Sequence, residues 1–178
     1  MPSVNFVGEL ENVSTDSSCS VSVTWGMLPG SRAWTLTNGE SSGESQVIQP
    51  LINGMASINH PIDVGYETTS AEGWPLLVCE VWDKTIPSAK NFLGCGSVWL
   101  PMTPGSHVVD VNLWKPTSSN GLDILSEALL PTTPDLKALR ELVVNPYLRS
   151  KLQTTSTGDI RVKVHVVVSN FKEFGVSF

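Results

Sequence analysis

The segment Glu72-Gly73-Trp74-Pro75-Leu76-Leu77-Val78-Cys79-Glu80-Val81-Trp82-Asp83 constrains this chain more than any other. A turn carrying a Trp-Pro pair feeds directly into a short apolar run. Trp82 then follows Trp74 by eight residues, against an aspartate that opens a loop. Eight is even, so on an extended strand both indoles point to one face. Two large aromatics on one face predict the spine of a β-sandwich core. The segment has no histidine and no glycine-rich phosphate cradle, so it reads as scaffold rather than catalyst.

The rest of the chain repeats this grammar. Alternating apolar residues and turn residues recur about every ten residues, the pattern of an all-β sandwich. Strands are predicted over residues 4–10, 19–25, 34–36, 45–49, 59–68, 76–82, 92–100, 107–114 and 159–168. In the second, Cys19, Val21, Val23 and Trp25 share one side. In the last, Ile160, Val162, Val164, Val166 and Val168 do so. Pro61 marks the start or an edge of its strand. Gly94 and Gly96 flank Cys95 within a strand, which predicts a bulge or a close approach of backbone. Residues 39–43 read as a polar loop.

The pattern changes over residues 121–152, which predict a helical insertion before the last strand. Residues 123–130 form a short helix in this reading. A second helix starts near Pro134 and Asp135, carries Leu136, Leu139, Leu142 and Val143 as an apolar stripe, and ends at Pro146. At 178 residues the chain fits one domain, 1–178, with this insertion inside it. Such a chain buries roughly 70% of its unfolded surface and needs no covalent staples.

Charge and cysteine usage narrow the function. The net charge of −6 argues against nucleic acid and against attraction to anionic lipid. Lys137, Arg140, Arg149 and Lys151 are interleaved with apolar residues, as on a solvated helix face. Charged residues are only 16% of the chain, against roughly 25% for typical soluble domains. With six tryptophans, that composition points to a surface that meets another protein. Cys19, Cys79 and Cys95 are odd in number, widely spaced and without a CxxC pair, so neither a disulfide framework nor a metal site is expected. No signal peptide and no apolar run long enough to span a membrane are read, so the sequon Asn12-Val13-Ser14 is expected to stay unmodified in a reducing cytoplasm.

The candidate chemistry is thin. His60, His107 and His165 are far apart, and none stands in a nucleophile-elbow context. There is no dinucleotide fingerprint, P-loop or zinc-protease motif, and no cofactor is expected. Val81-Trp82-Asp83 resembles the loop mouth of a calcium-dependent lipid-binding sandwich. A hard cation needs several convergent carboxylates, whereas Lys84, Thr85 and Ile86 follow Asp83. Asp83 therefore reads as a turn residue that accepts hydrogen bonds from nearby backbone. Sugar binding through exposed tryptophans is weaker still, because core packing accounts for most of the indoles.

Taken in order, Thr24-Trp25-Gly26, Ala33-Trp34, Asn59-His60-Pro61-Ile62-Asp63, Gly73-Trp74-Pro75, Val81-Trp82, Leu93-Gly94-Cys95-Gly96, Pro104-Gly105, Leu113-Trp114-Lys115-Pro116 and the ending Asn170-Phe171-Lys172-Glu173-Phe174-Gly175-Val176 resemble the B9 domain family of ciliary basal-body proteins. The family residues in that match are Trp25, Trp34, Pro61, Gly73, Trp74, Pro75, Trp82, Gly94, Gly96, Trp114, Phe171 and Gly175. Members often have Gly-Tyr-Gly where this chain has Gly94-Cys95-Gly96, a change that is conservative for packing. The resemblance implies an antiparallel β-sandwich of the C-two (calcium/lipid-binding) type. It also implies a non-catalytic scaffold at the basal body and transition zone of the cilium, gating entry of membrane proteins. The partners it implies are B9 domain-containing protein 1 and the longer B9 protein linked to Meckel syndrome type 1. No catalytic, metal or cofactor residues come with it. A lipid-binding module, acting without calcium, is the alternative reading.

Overall fold

A computed structural model describes residues 1–16, 18–51, 54–86, 91–116, 141, 147, 150 and 154–171. Nine strands form one antiparallel sheet: β1 (Ser3–Thr15), β2 (Val21–Leu28), β3 (Trp34–Gly39), β4 (Ser42–Glu44), β5 (Met55–Thr68), β6 (Leu76–Asp83), β7 (Asn91–Trp99), β8 (Gly105–Pro116) and β9 (Thr154–Ser169). Their order is β3-β5-β1-β9-β8-β7-β6-β2-β4. The sheet folds over between β7 and β8, which share only the pair Cys95 and Trp114. One layer is then β3-β5-β1-β9-β8, and the other is β7-β6-β2-β4.

Between the layers lies one apolar core. Alternate residues of β1 (Val4, Phe6, Leu10) meet those of β9 (Ile160, Val162, Val164, Val166) and β5 (Ile62, Val64, Tyr66), all buried. Val21, Val23 and Trp25 face them from β2, with Cys19 packed alongside as the alternation predicts. A face this continuous cannot remain in water, so the sheet buries it against itself.

The fold-over depends on two glycines. A β-carbon on Gly94 would lie 2.3 Å from Thr157 Oγ1, and one on Gly96 would lie 2.2 Å from the Asn112 carbonyl oxygen. The bulge falls at Leu93, where the β6–β7 register shifts between Val81 and Trp82. Both features read from Gly94-Cys95-Gly96 are therefore present: a bulge, and backbone approach closer than any side chain allows.

Pro61 sits midway along β5, beside Glu9 of β1. On the other side β3 ends against Val64, so Pro61 faces an unpaired stretch and costs no ladder hydrogen bond.

Three expectations need correction. Trp74 and Trp82 do not share a face. Trp74 precedes β6 and turns into the main core, where its ring meets Trp34 at 5.1 Å and Phe6 at 6.0 Å. Trp82 lies on β6 opposite Leu77, Cys79 and Val81, and packs on Phe92 at 5.3 Å. Period two holds only within a strand, and Gly73, at φ 72°, breaks it. Second, residues 39–43 are not wholly loop, because β4 begins at Ser42. Third, residues 45–49 contribute a single bridge, Ile48 to Val21, rather than a strand. The helical insertion at 121–152 lies outside the described residues apart from Glu141 and Tyr147, both helical, and Ser150.

The seam makes an ordering of defects. Gly96→Ala meets backbone and is expected to cost about 2–3 kcal/mol, whereas Gly94→Ala meets a hydroxyl that can rotate and costs less. Urea titration of both variants measures this, and equal stability to the parent would contradict it. Trp74→Ala is expected to cost about 3–5 kcal/mol in the same assay, and a loss under 1 kcal/mol would place this indole outside the core.

Candidate functional site

Four places concentrate polar or aromatic chemistry. The first is the aromatic wedge beneath β3. Trp34 Nε1 donates to the Glu72 carbonyl at 2.9 Å, and Ser31 Oγ donates to the same oxygen at 3.0 Å. The Gly30 amide donates to the Gly73 carbonyl at 2.9 Å. Gly73 therefore has no room for a side chain: its β-carbon would lie 2.5 Å from Ser31 N. Trp34, Tyr66, Trp74 and Phe6 then stack edge to face, with Pro75 buried beside them. The wedge is structural, and it fixes β3 to the core.

The second place is the outer face of β6. Glu80, which the sequence gives no special status, is fully buried there. Its neighbours in register are Thr24 on β2 and Cys95 on β7, with Glu44 beyond Thr24. Leu76, Val78 and Cys95 form a second apolar cluster, bordered by Leu28, Phe92 and the half-buried Trp114. Trp82 Nε1 donates to Glu80 Oε2 at 3.1 Å, while Oε1 is buried without a hydrogen-bond partner among the described residues. Burial raises the Glu80 carboxyl from 4.5 to about 7, against the opposing bond from Trp82. The signal available in sequence was a lone carboxylate inside an apolar strand, between Cys79 and Val81. Burial also pushes up the thiols of Cys79 and Cys95, and the nearby Glu80 charge adds to this. None of the three cysteines is in a disulfide.

The third is the Asp83 corner. Asp83 Oδ1 accepts from the Thr85 amide at 2.8 Å, as expected for a turn aspartate. Hydrogen bonds from Thr85 hold its carboxyl below the usual range. Lys84 pairs with Glu44 at 3.0 Å, and Ser22 Oγ donates to the same Glu44 oxygen at 3.0 Å. Charge at this mouth is thus spent on a local pair. Among the described residues no group of three or more His, Cys, Asp or Glu is placed to hold a metal ion.

The fourth is a pairing that sequence distance hides. Ser106 Oγ and His165 Nδ1 share a 2.7 Å hydrogen bond across β8 and β9. Both are exposed on an open strand face. His107 bonds the Thr103 carbonyl at 2.8 Å, and His60 lies 6.1 Å from Trp25. The three histidines are not brought together.

Of the family residues, Trp25, Trp34, Trp74, Pro75, Trp82, Gly94, Gly96 and Phe171 are buried, Gly73 and Trp114 are half-buried and Pro61 is exposed. Gly175 lies outside the described residues. The sixth tryptophan, Trp99, is 59% exposed.

Comparison with known proteins decides the family. The profile of the ciliary basal body-associated B9 proteins matches residues 4–167. The chain belongs to the B9 family. The B9 domain-containing protein 2 of Bos taurus is 30% identical over 176 residues, covering 99% of each chain. That of Drosophila melanogaster is 28% identical over 178 residues, covering 100% of this chain and 99% of its own. The B9 domain-containing protein 1 of Xenopus laevis is more distant, at 26% identity over 97% of this chain and 87% of its own. In architecture this B9 sandwich is a C2-type fold. A C2 domain of plant extended synaptotagmin 1 superposes with TM-score 0.51 over 94% of this chain and 95% of that one, at 10% identity. Among the described residues no helix is long and apolar enough to cross a membrane.

The buried carboxyl yields a pH test. Its folded pKa of about 7 exceeds 4.5, so the folded state binds the proton more tightly. Stability from this group is complete below about pH 4.5 and is lost as pH rises to about 7. Glu80→Gln removes that loss, so its stability relative to the parent is expected to rise by about 3 kcal/mol between pH 4.5 and 8. Thermal melts across that range measure the difference, and a constant offset would show that Glu80 is not buried as a neutral acid.

Proposed function

We propose that this B9 protein is a non-catalytic scaffold subunit at the ciliary basal body and transition zone. It binds sibling B9 sandwiches and supports cilium assembly and gating of membrane-protein entry. Its partners in this reading are B9 domain-containing protein 1 and the Meckel syndrome type 1 B9 protein. The observation that carries the proposal is the family match across residues 4–167 on a sandwich whose polar side chains serve turns, local pairs and the core. Such a rigid body offers edges and loops at little entropic cost. Co-expression with both siblings tests the reading: co-purification at micromolar concentration is expected, and absence of association with either overturns it. In ciliated cells the tagged protein is expected at the ciliary base, and uniform cytoplasmic distribution would contradict the location.

One observation favours peripheral lipid binding as a second reading. Val47, Leu51 and Ile86 are 56%, 71% and 58% exposed on loops. The bonds Val21 N to Ile48 O and Lys84 N to Ser20 O tie two of these loops to the same end of β2. Flotation with zwitterionic liposomes, with and without calcium, decides it, and failure to float in both conditions removes it.

A further inference from the structure

Among the described residues the sheet has two edge strands, β3 and β4. They are not equally protected. Natural sheets block edges by shortness, charge, proline or bulges. β4 is 3 residues long, and its Glu44 is engaged by Lys84. The part of β5 that runs past the end of β3 carries Pro61 and a left-handed Asn59, at φ 46°. β3, Trp-Thr-Leu-Thr-Asn-Gly, has neither charge nor proline. Among the described residues it pairs only with β5, and Thr35 to Asn38 are exposed, Leu36 by 42%. Its one irregularity is a bulge at Thr37, whose hydroxyl donates to the Gly65 carbonyl at 3.2 Å. The regular free stretch is therefore Trp34–Leu36, and it is held in place by the Trp34–Trp74 wedge.

The charge on the strands at this edge has one sign, and the nearest cation in sequence, Arg32, stands before β3 at the end away from Glu40. β3, β5 and β1 contain no lysine or arginine. Glu9 and Glu11 of β1 are engaged by Lys163 of β9. Asp63 and Glu67 on β5, and Glu40 just after β3, make no ion pair among the described residues. Glu67 stands opposite Thr35 in register. A strand added to β3 would lie about 10 Å from β5, two interstrand spacings away. A lysine or arginine on its outer face spans that distance over the short Thr35 and meets Glu67.

We propose that the free side of β3 is a docking edge for an extended, basic strand of a partner protein, which adds a tenth strand to the sheet. A second copy of this chain is disfavoured, because its own β3 carries no lysine or arginine to meet Glu67. The inference deepens the scaffold reading and rests on it.

The test uses the full chain with purified B9 domain-containing protein 1 from the same source as probe. Three readings are taken: affinity of the parent, affinity of Thr35→Lys and Glu67→Lys, and hydrogen exchange at Trp34 and Leu36, whose amides face the free side of β3. The proposal expects each variant to bind at least tenfold more weakly, with affinity falling as salt rises. It also expects those amides to exchange at least tenfold more slowly in the complex. Thr35 and Glu67 point away from the core, so melting temperatures should be unchanged. If Thr35→Lys unfolds, Glu67→Lys and the exchange data decide alone. Equal affinities without protection overturn the edge while leaving sibling binding intact. Absence of binding by the parent overturns the scaffold reading and the edge together. Self-association through these amides also overturns the basic-strand assignment.

Discussion

The close passage of β7 against β8 and β9 is the contact on which the rest of the structure depends. One continuous sheet carries an apolar face along β1, β2, β5, β6 and β9. That face can be buried only if the sheet turns back on itself, and the turn occurs where β7 and β8 share a single bridge. Gly94 and Gly96 stand there because no β-carbon fits against Thr157 or the Asn112 carbonyl. The bulge at Leu93 strengthens the local twist that the turn requires. With the seam closed, the aromatic wedge of Phe6, Trp34 and Trp74 fills the opposite side and fixes β3. Core, edge and outer face follow from that one closure.

Much of the fold was legible because alternation is a local signal. Ile160, Val162, Val164 and Val166 announce β9, and Val21, Val23 and Trp25 announce β2, without any knowledge of neighbours. The Gly94-Cys95-Gly96 pattern announced close packing but not its partner, since Thr157 and Asn112 are distant in sequence. The tryptophan spine misled for a physical reason. Periodicity is a property of extended backbone, and the left-handed Gly73 together with Pro75 places Trp74 outside the strand. Pro61 was legible as an edge signal because a missing amide hydrogen has few tolerable positions in a sheet.

The candidate sites were less legible. Asp83 behaves as its sequence neighbours dictate, because its partner Thr85 is two residues away. Glu80 and the Ser106–His165 pair depend on cross-strand register, which no window of sequence contains. The acidic flank of β3 is spelled out in the absence of Lys and Arg from three strands, yet it becomes a feature only when topology makes those strands neighbours. Family membership was carried by motifs spread over the whole chain, and that breadth is why it survives at 30% identity.

In the proposed scaffold role, a self-sufficient sandwich core leaves the periphery of the domain available to a sibling protein. A structure of the chain bound to B9 domain-containing protein 1 tests this most directly. The expected result is an unaltered core, with Phe6, Trp34 and Trp74 in their present packing and the partner seated on the edge or loops. A complex in which the two layers separate, or in which partner side chains enter the core between β1 and β6, would contradict it.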